Sequence, residues 1–353
     1  MKNSKENVGI KDVAKLAKVA VATVDRVIHN RAGVSKKTRD KVLKVAAELN
    51  YTPNIMASNL SKNKKFVFGV LLPKFSPEST YWELPLKGVE RAGIELEQYS
   101  ISIEQYLYDQ QDNNEIRKQI LKVINSDIDG LILSSKFSEE TDLLIQDCHE
   151  KHRPVIFIDS NTEERDSLCN IQQPLYESGQ LAGQLFNYCF HVGKVLILHL
   201  KDIMDSEAII NEKVNGLKDF FREIDSSVTT EKLLIVGFDT NQINEELDDV
   251  LNKDPDIKGI FIPNSKTDYI SKYLLNRGGS KVYLIGYDHL KEDDEYLEKG
   301  IIDFLICQRP EEQGYKATMK LFEYLVLRKE VEHEIIIPLD IVTRKNYKYY
   351  YNG

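Results

Sequence analysis

From Phe66 onward, short apolar runs alternate with amphipathic helical segments, and this alternation constrains the fold more than any other feature of the chain. Runs at 66–72, 101–108, 130–134 and 155–159 form one series, and runs at 194–200, 232–236, 259–262 and 282–286 form a second. Helical periods fall near 84–99, 113–125, 139–151, 175–190, 209–224, 244–252 and 267–276. Apolar strands spaced by helices read as parallel sheets with crossover helices. Two series therefore predict an α/β body of two doubly wound lobes. Late runs at 304–307 and 335–343, around a helix at 311–328, let the chain cross back between them. The expected division is lobe one at about 66–171 and 309–337, and lobe two at about 172–307 and 338–353. Such sheets bind ligands at the carboxyl ends of their strands, so the cleft between the lobes is the expected site. It can close by hinge motion.

The first 65 residues differ in character. They hold 15 Lys and Arg against 5 Asp and Glu, whereas the remainder holds 32 against 51. A small basic head on an acidic body suits a polyanion-binding module joined to a non-binding one. Three apolar stripes at helical spacing predict three short helices: Ile10, Val13 and Leu16–Ala17; then Val21, Val24 and Ile28; then Val42, Val45–Ala46 and Leu49. Only Lys18-Val19-Ala20 separates the first two, the length of a helix-turn-helix connection. The second helix turns Ala22, Thr23, Asp25, Arg26 and His29 outward. That small surface with one Arg can enter a major groove and offer guanine a bidentate donor. Ser35 is placed to cap the third helix, with Thr38 and Arg39 in its first turn, and these groups suit phosphate contacts. The segment from Asn54 to Ser61, which Asn54 can cap, is too short to form a stable helix alone in water.

The run Gly9-Ile-Lys-Asp-Val-Ala-Lys-Leu-Ala-Lys-Val-Ala-Val-Ala-Thr-Val-Asp-Arg-Val-Ile28, with Val34-Ser35, Thr38-Arg39 and Leu49-Asn50-Tyr51-Thr52-Pro53-Asn54, resembles the DNA-binding head of the LacI/GalR family of bacterial transcriptional regulators. The match is long and gapless over the head and looser beyond residue 65. The resemblance implies a helix-turn-helix domain at 8–53, a hinge helix at 54–65 and an effector-binding domain at 66–353 with a type I periplasmic-binding-protein-like fold. It implies a homodimer on palindromic double-stranded operator DNA. Val21, Ala22 and Arg26 take the base-reading positions. Asn54, Ala57 and Leu60 fall in the hinge, where Leu60 would wedge into the minor groove. Three positions depart from the family pattern. Lys18 stands where Gly is usual, which costs about 1 kcal/mol if φ stays positive. Ala20 stands where a Ser caps the recognition helix, a loss of about 0.5–2 kcal/mol. Asp25 replaces a frequent Ser; it can accept from a cytosine amine or pair with a neighbouring Lys or Arg.

In the body, Asp159, Asn264, Asp288 and Gln308 end or follow strands, and Lys213 lies near the start of a helix. By the resemblance each matches a position that commonly contacts effector. Lys213 replaces the usual Arg and so lacks the bidentate fork. Two carboxylates, two amides and one cation suit a polyhydroxylated molecule, although each alone also reads as a turn or cap residue. Phe75 and Trp82 follow the first strand and could face a sugar ring or anchor packing. The expectation is a repressor of a carbohydrate-utilisation operon with a sugar-like effector. The alternatives are a purine- or nucleoside-responsive regulator of the same fold, or a ligand receptor whose head binds DNA non-specifically.

No G-x-x-x-x-G-K-[ST], G-x-G-x-x-G or G-x-S-x-G pattern occurs, so neither an enzyme nor a cofactor is expected. The cluster Cys148-His149-Glu150-Lys151-His152 has metal-binding residue types. It falls at a helix end, where cations favour the dipole, and no metal site is expected. Four scattered cysteines without CxxC spacing suggest reduced thiols, and with no signal-peptide pattern the expected location is cytoplasmic. No apolar run approaches the roughly 18 residues of a membrane span, and the tail after 343 has no heptads for a tetramerising coil.

Overall fold

The computed structural model describes residues 9–28, 31–49, 51, 65–75, 80–134, 139–159, 166–201 and 206–350. They form two compact units that divide after residue 64.

The first unit contains α1 (Ile10–Ala17), α2 (Val21–Ile28) and α3 (Lys36–Glu48). Its core is Val13, Ala14, Ala17, Val24, Val27, Val42, Val45 and Ala46. Of the other residues in the expected stripes, Ile10, Ile28 and Leu49 pack against it partly buried, whereas Leu16 is 53% exposed and Val21 42%. At 100° per residue, Leu16 lies about 110° round α1 from the centre of the buried stripe. Val21 opens α2 and sits at its rim, while Val27, one turn after Val24, takes the buried place. Helix α1 stops at Lys18, whose φ is 51° and whose amide bonds back to Ala14 and Lys15 carbonyls.

The second unit begins with β1 (Phe66–Pro73), α4 (Glu83–Leu96), β2 (Ile101–Tyr108), α5 (Asn113–Ile124), β3 (Gly130–Leu133), α6 (Glu139–Glu150), β4 (Val155–Ile158) and β5 (Cys169–Gln172). It continues with α7 (Leu175–Cys189), β6 (Val192–Lys201), α8 (Glu207–Glu223), β7 (Ser227–Val236), α9 (Thr240–Lys253), β8 (Ile257–Phe261), α10 (Thr267–Arg277) and β9 (Tyr283–Tyr287). It ends with α11 (Asp294–Lys299), β10 (Phe304–Cys307), α12 (Pro310–Leu325), β11 (Glu334–Ile336), β12 (Asp340–Val342) and α13 (Tyr347–Tyr350). Lobe one holds a sheet in the order β11-β5-β4-β3-β1-β2, and lobe two a sheet in the order β12-β10-β9-β8-β6-β7. All pairs are parallel except β10 with β12. The two doubly wound lobes are thus present, with matching strand orders.

Two details differ from expectation. Strand β5 escapes a pattern search because Cys169-Asn-Ile-Gln172 has no apolar run; pairing with β4 and β11 buries it. The run at 335–343 is two strands, β11 in lobe one and β12 in lobe two. They are separated at Ile337-Pro338-Leu339, where Pro338 has no N–H to continue a ladder.

Each lobe also contains a helix pair at backbone contact. A Cβ on Gly88 of α4 would lie 1.9 Å from the Glu311 carbonyl oxygen of α12. A Cβ on Gly216 of α8 would lie 1.9 Å from that of Tyr176 on α7. Only glycine permits either approach.

Candidate effector cleft and DNA-binding surface

Three segments join the lobes: Gln173–Pro174 between β5 and α7, Gln308–Arg309 between β10 and α12, and Ile337–Leu339 between β11 and β12. They are stitched together. Gln313, 1% exposed in the first turn of α12, accepts from the Asp159 amide at 3.0 Å. Its own amide group donates to the Gln308 carbonyl at 3.0 Å and to Gln173 Oε1 at 3.5 Å. Arg309 forms a bidentate pair with Asp340, at 2.7 and 2.8 Å.

The aspartates stand at the strand ends beside these segments. Asp159 follows β4 and accepts from Gln173 Nε2 at 3.3 Å. Burial pushes its pKa up to about 6; the nearby Lys213 charge pulls it down and Asp288 pushes it up. The Tyr81 hydroxyl, buried beside it, feels both carboxylates, and its pKa rises with burial and their charge.

Asp288 follows β9 and is 1% exposed. Its Oδ2 accepts from Ser265 Oγ at 2.6 Å and Gln308 Nε2 at 2.7 Å, and its Oδ1 accepts from the Gln308 amide at 3.3 Å. Burial raises its pKa, opposed by Ser265, Lys213 and Gln308. Lys213, on α8, is 4% exposed, donates to the Pro263 carbonyl at 3.2 Å and sits 3.7 Å from the centre of the Tyr287 ring. A buried ammonium is thereby held by a ring face, a carbonyl and two carboxylate fields.

The structure brings Asp159, Lys213, Asp288 and Gln308 together at this junction. Gln308 Oε1 is buried with no hydrogen-bond partner among the described residues, an acceptor suited to a hydroxyl. Asn264 has a structural task as well: its Nδ2 donates to the Leu200 carbonyl at the end of β6, at 2.9 Å. Trp82 is 8% exposed and meets Tyr81 edge-on, with ring centres 5.2 Å apart, so it packs as an anchor. Phe75 is 59% exposed at the end of the first segment of lobe one. Sequence reasoning missed Tyr81, Gln173, Ser265, Tyr287 and Gln313. For Gln313 the one available signal is a polar residue on the buried stripe of α12, with Pro310, Gly314, Ala317 and Leu321.

On the head, Val21, Ala22 and Arg26 are exposed on α2, and Thr23 and Asp25 are partly exposed. Asp25 pairs with Arg31 at 3.1 Å, the neighbouring-cation alternative. Ser35 accepts from the Thr38 amide at 3.3 Å and caps α3. His29, Asn54, Ala57 and Leu60 lie outside the described residues.

Comparison with known proteins joins these two parts. Residues 9–54 match the bacterial regulatory proteins of the lacI family, and residues 68–329 match the periplasmic binding protein domain. The chain belongs to the LacI family of bacterial transcriptional regulators. This LacI-family chain is similar to catabolite control protein A of Staphylococcus xylosus, with 26% identity over 338 residues, covering 89% of the chain and 99% of the relative. Two regulators at 34% and 35% identity are matched over only 40% and 38% of their own lengths. Among solved structures, a protein described as a LacI transcriptional regulator from Bacteroides fragilis superposes with a TM-score of 0.73 at 28% identity, over 82% of this chain and 100% of that one. GanP, a glucose-galactose binding protein from Geobacillus stearothermophilus, gives 0.67 at 25%, over 80% and 99%. Among the described residues, no helix is long and apolar enough to cross a membrane.

Proposed function

We propose that the chain represses a carbohydrate-utilisation operon as a cytoplasmic homodimer on a palindromic operator, and that a sugar-like effector between its lobes controls it. The observation that carries the effector reading is one buried ammonium, Lys213, acting on two carboxylates at the strand ends of opposite lobes. Closure on a polyol would satisfy acceptors from both sides, and the resemblance to a glucose-galactose binding protein supports that ligand class. On the head, Val21, Ala22 and Arg26 would read bases, Ser35 and Thr38 would hold phosphates, and Leu60 would act at the hinge. The unlike charge of head and body supports a division in which the head carries the DNA affinity.

The test selects duplexes bound by the full chain from a random pool, then screens sugars, polyols, sugar acids and nucleobases for release or tightening. Enrichment of a palindrome and a response to one sugar class is the expected result. Binding of all duplexes alike would overturn the repressor reading. A response to nucleobases alone would overturn the sugar reading.

A further inference from the structure

A cavity lies away from the inter-lobe junction, on the flank of lobe two. Its volume is about 200 Å³, and it opens between α8 and the outer strands β6 and β7. The floor is Ile197, Ile210, Val214 and Leu234. The cause is visible in the packing. Backbone contact through Gly179 and Gly216 draws α8 against α7, leaving the outer strip of edge strand β7 uncovered. On that strip Leu234 is 54% exposed and Val236 64%. Lobe one treats its own edge strand differently: Gln105 of β2 hydrogen-bonds Glu90 of α4 at 3.2 Å.

The rim is cationic. Lys232 lines the mouth, and Lys218 stands one helical turn beyond Val214 on α8. Burial and the Lys232 charge lower the Lys218 pKa, so the two ammoniums face one field. Neither has a carboxylate partner among the described residues. The lining carboxylate, Glu207, is already neutralised by its ion pair with Lys201. An apolar floor beneath two like charges is complementary to an apolar body with an anionic head.

We propose that this cavity is an accessory binding site for a small amphiphilic carboxylate, distinct from the inter-lobe cleft. A cavity near 150 Å³ can accommodate benzene, so one aromatic ring or a short branched chain fills this one. The carboxylate would lie between Lys218 and Lys232.

Methyl NMR on the full chain, titrated with phenylacetate, 2-phenylethanol and phenethylamine, tests the proposal. Phenylacetate should shift the methyls of Ile197, Ile210, Val214 and Leu234. The neutral alcohol should bind about tenfold more weakly, and the amine more weakly still, because a charge-assisted bond is absent or reversed. Lys232→Gln, an exposed change, should weaken phenylacetate about tenfold and leave the alcohol unaffected. Leu234→Trp should close the mouth and abolish binding. Equal binding of acid and alcohol, unmoved methyls up to about 10 mM ligand, or full affinity in Lys232→Gln would each overturn the proposal. If Leu234→Trp perturbs the amide spectrum broadly, Lys232→Gln alone decides.

Discussion

Asp159 and Asp288 occupy matching places in the two lobes: each follows the third strand from its sheet's outer edge at the crossover side, β4 or β9, and each has a left-handed φ, of 48° and 58°. Aspartate tolerates that conformation better than most residues. Their surroundings then diverge. Asp288 is bonded by Ser265 and Gln308, whereas Asp159 meets Gln173 and Tyr81 among the described residues and has the more exposed carboxylate.

Asp288→Ala should therefore lower the melting temperature of the unliganded chain as well as weaken effector binding. Stranding a buried donor costs about 1–3 kcal/mol, and the Ser265 and Gln308 side chains and the Gln308 amide would all lose their acceptor. Asp288→Asn keeps the left-handed turn and should recover part of the loss. Thermal denaturation of both variants checks this; an unchanged melting temperature in Asp288→Ala would show that those bonds contribute nothing.

For Asp159 the sign of the pH effect is the reverse of an ion-paired carboxylate. Its folded pKa, about 6, lies above its ordinary value, so the folded chain holds this proton more tightly than the unfolded chain. The favourable contribution is present below about pH 4 and is lost as pH rises through about 6. Asp159→Asn should remove that loss. Lys213, Asp288, Gln173 and Tyr81 face the carboxyl, and none is altered by the change. Melting temperatures measured from about pH 4.5 to about pH 7.5 should show the Asn variant gaining on the parent as pH rises. A constant difference would contradict the shift.

On the head, Arg26→Ala should cost about 1–3 kcal/mol of specific binding and relax preference at one base pair per half-site. Lys62→Ala, in the basic run Lys62-Asn-Lys-Lys65 that ends the hinge segment, should weaken all sequences alike, as loss of a phosphate-attracting charge would. Binding to a panel of operator variants separates them; uniform weakening by Arg26→Ala would make Arg26 a phosphate contact.

Lys18→Gly should stabilise the head by about 0.5–1 kcal/mol, since φ of 51° favours glycine. Slower amide exchange in α1 and α2 of the full chain is the readout, and unchanged exchange would mean the Lys side chain compensates for the backbone cost.

Gly216→Ala should destabilise lobe two by about 1–3 kcal/mol or more, because its new methyl has the Tyr176 carbonyl in its way. Guanidinium denaturation measures this. Neutrality would require α7 and α8 to separate without loss.

The lobes were legible because their inner strands, such as β1, β3, β4, β9 and β10, are almost wholly buried apolar runs, a pattern visible without any partner. Strand β5 was not, because partners far away in sequence hold it in place, such as the His333 carbonyl for the Asn170 amide and Glu334 for the Gln172 side chain. The same limit governed the site. Asp159 and Asp288 announce themselves by ending apolar runs. Gln173 and Gln313 lie 140 residues apart, and their contact belongs to the fold rather than to any local pattern. Lys213 could be found by position, but its seat on the Tyr287 ring could not.

Gln313 has a consequence for how such a molecule can diversify. Its amide touches both Asp159 and the Gln308 segment, yet carries no charge. This one contact of the pivot is therefore blind to salt and acidity, while the Arg309–Asp340 pair beside it and the groups proposed to grip a ligand are not. Descendants of this chain can exchange cleft side chains and answer a new metabolite on an unaltered pivot.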